Sequence, residues 1–150
     1  MNCLSFDVGG TTVKYGVIDE SYKILKKDKI PTPENENDFI YSLSNIIQEN
    51  LSIISKVSVA MPGYVNSANN KYLYGPHLKY DIDFSKLSNF TDYKFHLDND
   101  GNVAAYCEYF LNYKTKYSNL IMLTFGTGVG GGIISEGRLL KGRGNAGEIG

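Results

Sequence analysis

The stretch DVGGTTVK, residues Asp7–Lys14, follows a short apolar segment at the start of the chain and contains two glycines and two threonines in succession. Because glycine has no side chain, its backbone can approach a phosphate closely, and consecutive N–H groups in a turn form an anion-binding concavity. The threonine hydroxyls add donors, and an aspartate beside them suits Mg²⁺ held through water. The stretch therefore predicts a tight, phosphate-binding turn between two strands.

A second glycine-rich stretch, LTFGTGVGGG at Leu123–Gly132, lies late in the chain, and the triplet Asp98-Asn99-Asp100 stands between the two clusters. Two phosphate-binding loops and a separate carboxylate are typical of a phosphoryl-transfer site built across two lobes. Each feature alone has a simpler explanation, since a glycine pair makes a hairpin turn and an aspartate caps a helix. Their combination favours the phosphoryl-transfer interpretation.

The late glycines also fit two other patterns, the dinucleotide fingerprint and the protein-kinase glycine loop. The fingerprint requires a helix directly after the glycines, whereas Gly132–Ser135 continues as strand and turn. The kinase pattern requires further motifs, and no Val-Ala-Ile-Lys strand, His-Arg-Asp loop or Asp-Phe-Gly follows. Neither alternative is favoured.

Composition and charge are those of an ordinary globular protein. The 150 residues are 42% hydrophobic and carry a net charge of −1, which allows a core and argues against nucleic-acid or anionic-membrane partners. Neither an apolar run of about 18 residues nor a signal peptide is evident. We therefore expect a cytoplasmic protein in which Cys3 and Cys107 remain free thiols.

Hydrophobic periodicity predicts an α/β chain. Apolar residues recur with helical spacing over 37–51, and a buried strand follows at 56–61. Further strands are predicted at 3–7, 14–19, 24–30, 94–97, 119–125, 132–135 and 138–140. Helices are predicted at 83–87 and from 101 or 102 to about 113, while 64–80 is left unassigned. Alternating strands and helices indicate a layered α/β sheet. We expect one complete lobe, 1–117, and the beginning of a second, 118–150.

The motifs resemble the ROK family of sugar kinases and repressors, within the hexokinase and actin-like ATPase superfamily. The resemblance runs through essentially the whole chain and is carried by Asp7–Asp19, Ala60–Val65, Asn99–Ala105, Leu123–Ile134 and Gly147–Gly150. It implies a ribonuclease-H-like lobe, with a mixed sheet flanked by helices, plus the start of a second lobe. In such proteins the two lobes close over a sugar and MgATP.

The resemblance also implies roles for individual residues. Asp100 would be the catalytic base that takes the proton from a sugar hydroxyl, commonly the one on C6. The residues implied to contact the sugar are Gly63, Asn99, Asp100 and Glu148. Those implied to face the nucleotide phosphates are Asp7, Gly9, Gly10, Thr11, Thr12, Thr127 and Gly128, with Asp7 also holding Mg²⁺ through water.

The expected cofactors and partners are ATP, Mg²⁺, a sugar and a second copy of the protein, whereas zinc would require a segment beyond Gly150. Three positions depart from the family pattern: Thr12 stands where Lys is common, His77-Leu78 replaces Asn-Leu, and Gly101 replaces Ala. The sugar preference therefore stays open. We expect the 150 residues to be a fragment of a longer kinase, inactive alone.

Two other functions remain as alternatives. A ROK-type sugar-responsive regulator would carry a helix-turn-helix ahead of the lobe, and only six residues precede Asp7. A non-catalytic sugar-binding module would not need the carboxylate of Asp100. Both features favour the kinase.

Overall fold

The computed structural model describes residues 2–87, 93–126, 128–142 and 146–147. The chain forms two compact units, Met1–Asp98 and Asn99–Gly150. The predicted lobes, 1–117 and 118–150, stay a prediction. No helix within the described ranges is long and apolar enough to cross a membrane.

The first unit is built on a five-stranded mixed sheet. Its elements are β1 (Asn2–Val8), β2 (Thr12–Ile18), β3 (Ile24–Pro31), helix α1 (Glu36–Asn50), a 3₁₀ turn (Leu51–Ile53), β4 (Ile54–Met61), β5 (Tyr64–Asn66), β6 (Lys71–Tyr74), β7 (Ile82–Asp83), a 3₁₀ helix (Phe84–Leu87) and β8 (Lys94–Asn99). β1, β2 and β3 form an antiparallel meander, and β4 pairs with β1 in parallel. The order across the sheet is β3-β2-β1-β4-β8.

Helix α1 forms where the periodicity predicts it. The side chain of Asn35 caps its first turn by accepting a hydrogen bond of 3.0 Å from the amide of Asp38. Its apolar face enters one core cluster with the inward-facing residues of β1 and β4; the buried helical members are Phe39, Leu43, Ile46 and Ile47. Each such side chain contributes about 1.5–3 kcal/mol by leaving water.

The segment 64–80, unassigned from sequence, contains β5 and β6, which form a small antiparallel sheet with β7 in the order β5-β6-β7. Tyr72 is fully buried in the core cluster, whereas Tyr64 and Tyr74 stack across the strand pair with ring centroids 5.4 Å apart. The strands are short, and a polar turn with Asn70 at φ 52° separates β5 from β6. Three-residue and four-residue strands give too little alternation for a sequence pattern to detect.

The second unit begins with a helix and continues as a hairpin. Helix α2 (Asp100–Glu108) starts one residue earlier than predicted and ends in a π-helical turn (Tyr109–Tyr113). It is followed by the antiparallel strands β9 (Leu120–Phe125), β10 (Val129–Ser135) and β11 (Arg138–Leu139). A turn at Glu136-Gly137, with φ values of 52° and 77°, connects β10 to β11.

The start of β10 corrects the sequence prediction. We predicted that the strand begins at Gly132, but the ladder with β9 begins at the pair Val129–Phe125 and includes Gly130 and Gly131. Three of the glycines are therefore strand residues. The cause is tertiary packing, because glycine has low strand propensity and no side chain to reveal a buried face.

Candidate functional site

The predicted phosphate-binding turn connects β1 to β2. The Gly9 amide donates a 3.0 Å hydrogen bond to the carbonyl oxygen of Thr12, which closes the turn around Gly10 and Thr11. Both of these residues are exposed. Within the described residues their amides donate to no acceptor. Two neighbouring N–H groups at an exposed turn form a concavity that suits an anion.

Thr32, which the sequence analysis did not single out, fixes the carbonyl groups of this turn. The Thr32 hydroxyl donates to the Gly9 carbonyl oxygen at 2.7 Å, and the Thr32 amide donates to the Thr11 carbonyl oxygen at 3.0 Å. The Thr12 carbonyl already accepts from Gly9. Three carbonyl dipoles are thus engaged by protein donors. The turn keeps its geometry without a ligand, which is the preorganisation that anion binding favours.

Gly10 lies against His77, a position that the sequence analysis connected only with sugar preference. A Cβ atom added at Gly10 would stand 2.8 Å from His77 Cβ, 3.0 Å from Cγ and 3.3 Å from Nδ1. Real Cβ atoms essentially never approach a neighbour so closely, so the contact with His77 accounts for glycine at position 10. The imidazole is exposed and lies beside the predicted phosphate position.

The turn after β4 lies at the same end of the sheet as the turn after β1, because the paired strands β1 and β4 run parallel. Gly63 in this turn has φ +91°, a conformation that favours glycine. A Cβ there would lie 2.6 Å from the Gly75 Cα and 2.6 Å from the Tyr74 carbonyl oxygen. The backbone of Gly63 therefore packs directly on the segment that carries His77.

Tyr72 supports that segment from below. It is fully buried, its hydroxyl donates to the Leu78 carbonyl oxygen at 3.5 Å, and that hydroxyl would be 2.5 Å from a Cβ at Gly75. Burial raises the pKa of its phenol to about 12, so the group stays a neutral donor. The residues from 75 to 78 are thus held between a buried tyrosine and the two turns.

Asp7 and Lys14 stand opposite each other in the β1–β2 ladder, at the end that leads into the turn. Their charged groups are 3.6 Å apart, and both side chains are mostly exposed. No group of three or more His, Cys, Asp or Glu residues in the described part of the chain could hold a metal ion. A single exposed carboxylate fits Mg²⁺, which binds through one or two carboxylates together with substrate phosphates and water.

In the second unit, the side chains of Asn99 and Asp100 accept hydrogen bonds from different amides at the start of α2. The side-chain oxygen of Asn99 caps α2 by accepting a 3.1 Å hydrogen bond from the Asn102 amide, and Asn99 is 2% exposed. Asp100 follows as the first helical residue and is exposed, and its carboxylate accepts from the Gly101 amide at 2.8 Å. Asn99 is therefore the N-cap residue, and the exposed Asp100 satisfies a second amide of the first turn.

The glycines of β10 lie beneath α2. A Cβ at Gly101 would be 2.6 Å from the Gly131 carbonyl oxygen, and one at Gly132 would be 2.4 Å from the Ala105 Cβ. A Cβ at Gly147 would be 3.1 Å from the Asn102 side-chain oxygen. Gly101, which we had connected with sugar preference, is therefore also a packing requirement of this unit. An alanine there would force the helix away from the strand.

The other late glycines have open surroundings. No atom of the residues that the structure describes lies within 4 Å of a Cβ built at Gly126 or Gly128, so packing among those residues requires neither glycine. Gly128 was predicted to face the nucleotide. Two further predicted site residues, Thr127 and Glu148, lie outside the described residues. Their roles, like those of the other predicted site residues, stay predictions.

The mixed sheet and its turns define the class of the protein as ribonuclease-H-like α/β, the fold of the actin-like ATPases. The model of the ROK family matches residues 3–150. The chain belongs to the ROK family. The fold and family predicted from the sequence are thereby confirmed.

Relatives of this chain include sugar kinases. It is 31% identical to a glucokinase of Streptomyces coelicolor, with 98% of this chain and 48% of the glucokinase covered. It is 32% identical to an N-acetylmannosamine kinase of Vibrio cholerae, with 100% and 54% covered. The chain therefore spans about half the length of the curated relatives it matches.

Solved structures show the same fold. A ROK family glucokinase from Streptomyces griseus, in complex with glucose and AMPPNP, matches with a TM-score of 0.85 and 28% identity over 100% of this chain and 50% of that one. A ROK family transcriptional regulator matches with a TM-score of 0.86 over 99% of this chain and 40% of that one. At 24% identity the regulator shows the fold alone.

Proposed function

We propose that this sequence belongs to an ATP-dependent sugar kinase that transfers a phosphoryl group to a hexose or hexose derivative, at the C6 hydroxyl. The observation that carries the proposal is the exposed carboxylate of Asp100, at the start of a helix that Asn99 already caps. An exposed carboxylate at the start of a helix, in a chain that also contains a preorganised anion-binding turn, suits phosphoryl transfer. Sugar kinases among the relatives support the reaction class.

In the proposed reaction, Asp100 accepts the proton of the sugar hydroxyl while the hydroxyl oxygen forms a bond to the γ-phosphorus of ATP. The bond from that phosphorus to the bridging oxygen breaks, and ADP leaves with the electron pair. General-base catalysis of this kind contributes about 10²–10⁴-fold to the rate. The proposed sugar contacts are Gly63, Asn99, Asp100 and Glu148. Through its cap, Asn99 also fixes the helix that presents the base.

The proposed nucleotide contacts are Asp7 and the Gly9–Thr12 turn in the first unit and Thr127 and Gly128 in the second. The amides of Gly10 and Thr11 would donate to phosphate oxygens, and the two threonine hydroxyls would add donors. Mg²⁺, when bound, neutralises charge on the transferred phosphoryl group. Asp7 is the carboxylate that would hold it, through water.

The proposed substrates are glucose-like hexoses and N-acetylhexosamines, because the relatives include a glucokinase and an N-acetylmannosamine kinase. We further propose a cytoplasmic homodimer. Two cysteines without a disulfide, Cys3 and Cys107, agree with a reducing compartment.

The test compares Asp100→Asn with Glu108→Gln, a matched carboxylate change on the exposed face of the same helix, in protein extended beyond Gly150. For Asp100→Asn we expect kcat to fall about 10²–10⁴-fold, with sugar affinity, measured by calorimetry, nearly unchanged. Glu108→Gln should keep both values. Equal kcat for Asp100→Asn and the unmodified protein would contradict the assignment of the base.

A sugar-responsive regulator is the second candidate, because the chain, which belongs to the ROK family, resembles repressors as well as sugar kinases in its motifs. Such a protein would bind sugar without releasing ADP. Sugar binding by the extended protein, together with no sugar-dependent ADP release for any hexose, would support this candidate over the kinase.

A further inference from the structure

His77 lies beside the predicted phosphate-binding turn, but the proposed reaction gives this residue no role. Its Cβ, Cγ and Nδ1 lie within 3.3 Å of the position where a Cβ would stand on Gly10, while the residue itself is exposed. The imidazole therefore lies at the anion-binding turn and is reachable by a ligand. The imidazole lies beside the turn because Tyr72 and Gly63 contact the segment 75–78 and hold it at the end of the sheet where β1 and β4 end.

The turn itself lacks a positive charge. Residues 9–12 are two glycines and two threonines, so the turn offers N–H and O–H donors but no cation. The nearest lysine in the ladder, Lys14, lies 3.6 Å from the carboxylate of Asp7. Much of its charge is offset by that partner. A phosphate chain carrying several negative charges would gain from a further donor at this place.

We propose that His77 contacts the nucleotide phosphates, its imidazole donating a hydrogen bond to a phosphate oxygen seated on the Gly9–Thr12 turn. The proposal rests on the proposed function for the identity of the ligand, a nucleoside triphosphate. It gives the contact between Gly10 and His77 a functional reason: glycine lets the imidazole come close enough to share one phosphate with the turn amides. A hydrogen bond to a charged group contributes about a tenfold gain in affinity or more.

The test measures binding, not activity, so that it stands apart from the reaction. Calorimetry with the extended protein gives Kd values for MgATP, MgADP and adenosine, for the unmodified protein and for His77→Leu, His77→Gln and His77→Ala. Leucine keeps the Cβ and Cγ that pack on Gly10 and removes the donor, whereas glutamine keeps a donor. The matched control is His96→Ala, which removes the chain's other histidine, an exposed residue on β8.

We expect His77→Leu and His77→Ala to weaken MgATP about tenfold and to leave adenosine within about twofold. His77→Gln should retain part of the affinity, and His96→Ala should bind as the unmodified protein does. MgATP affinity unchanged in His77→Leu would overturn the proposal, and so would equal losses for MgATP and adenosine, which indicate a packing role. Absence of MgATP binding by the unmodified protein would overturn it too.

Failure of the proposed function has a different signature. If the extended protein binds MgATP in a His77-dependent manner but releases no ADP with any sugar, the phosphate contact is supported and the kinase is contradicted. If sugar-dependent ADP release occurs and His77→Leu binds MgATP normally, the kinase stands and the contact is overturned.

Discussion

Both units contain a glycine-rich stretch and an asparagine-capped helix, but key residues of these features are exposed to solvent in the first unit and buried in the second. In the first unit the turn glycine Gly10 is exposed, and the capping residue Asn35 is exposed as well. In the second unit Gly131 and Gly132 are buried beneath α2, and the capping residue Asn99 is 2% exposed.

The difference shows that one sequence signal has two physical causes. Gly10 is needed because a turn and an imidazole meet there, whereas Gly132 is needed because a helix backbone crosses a strand with no room for a methyl group. Glycine richness alone therefore does not mark a phosphate loop. Among the late glycines, the open positions Gly126 and Gly128 remain candidates for ligand contact, and the buried ones are structural.

The largest expected effect on stability comes from filling the buried strand. Gly132→Ala places a methyl group 2.4 Å from the Ala105 Cβ, and overpacking of this kind costs about 1–3 kcal/mol. Gly126→Ala is the matched control, since no atom in the described part of the chain lies within 4 Å of the added methyl group; it should be neutral or slightly stabilising. Urea denaturation of the extended protein measures both. Equal midpoints for the two variants would remove the distinction between buried and open glycines.

The two capping asparagines sharpen the same comparison. We expect Asn99→Ala to lower the free energy of unfolding by about 2 kcal/mol and Asn35→Ala by about 0.5–1 kcal/mol, since only Asn99 leaves a buried amide unsatisfied. Asn37→Ala, on an exposed position of α1, controls for helix propensity. Equal losses at residues 99 and 35, measured by urea denaturation, would show that burial of the cap adds nothing.

The exposed turn should respond less than the buried strand. Gly10→Ala brings a methyl group 2.8 Å from the His77 Cβ, but loop atoms relax more easily, so we expect a cost of about 1 kcal/mol. Adding His77→Gly should recover most of that loss, as a double-mutant cycle in urea would report. A double variant as unstable as the sum of both single changes would contradict direct contact.

The smallest effect concerns Glu36 at the start of α1. Hydrogen bonds from Lys86 and from the Asp83 amide lower the pKa of its carboxyl group. This contact therefore adds stability above the unfolded pKa of about 4.3, and that contribution is lost as pH falls through the lower folded pKa. Because both side chains are partly exposed, solvent limits the gain to a few tenths of a kcal/mol.

Lys86→Met tests this contact against Lys27→Met on β3. The Lys86 variant should be slightly less stable than the unmodified protein at pH 7 and equally stable once Glu36 is protonated. Thermal unfolding at a series of pH values gives the comparison. A stability difference that persists unchanged into acid would have another origin.

Much of the first unit could be predicted from the sequence, because its signals are local. The spacing of Phe39, Leu43, Ile46 and Ile47 defines one helical face, and in β4 buried apolar residues alternate with more exposed ones before Pro62-Gly63. The roles of His77 and Thr32 could not be predicted. Both act through contacts with a turn that is distant in sequence, and neither residue type has a spacing that marks such a contact.

In the second unit, the sequence singled out Asn99 and Asp100 but did not show which of them is the N-cap residue of α2. Both residue types cap helices well, and only the hydrogen bond from the Asn102 amide shows which one does so here. The strand at Val129–Gly131 was missed for a related reason, since glycines carry no alternation of polar and apolar side chains. Packing against α2, which a sequence does not display, decides their conformation.

The most direct test of the account is sugar-dependent ADP release by protein extended beyond Gly150, assayed with MgATP and a panel of hexoses and N-acetylhexosamines. The account predicts that at least one sugar raises ADP release far above the sugar-free rate and is recovered as its phosphate ester. ADP release that no sugar in the panel increases would contradict it.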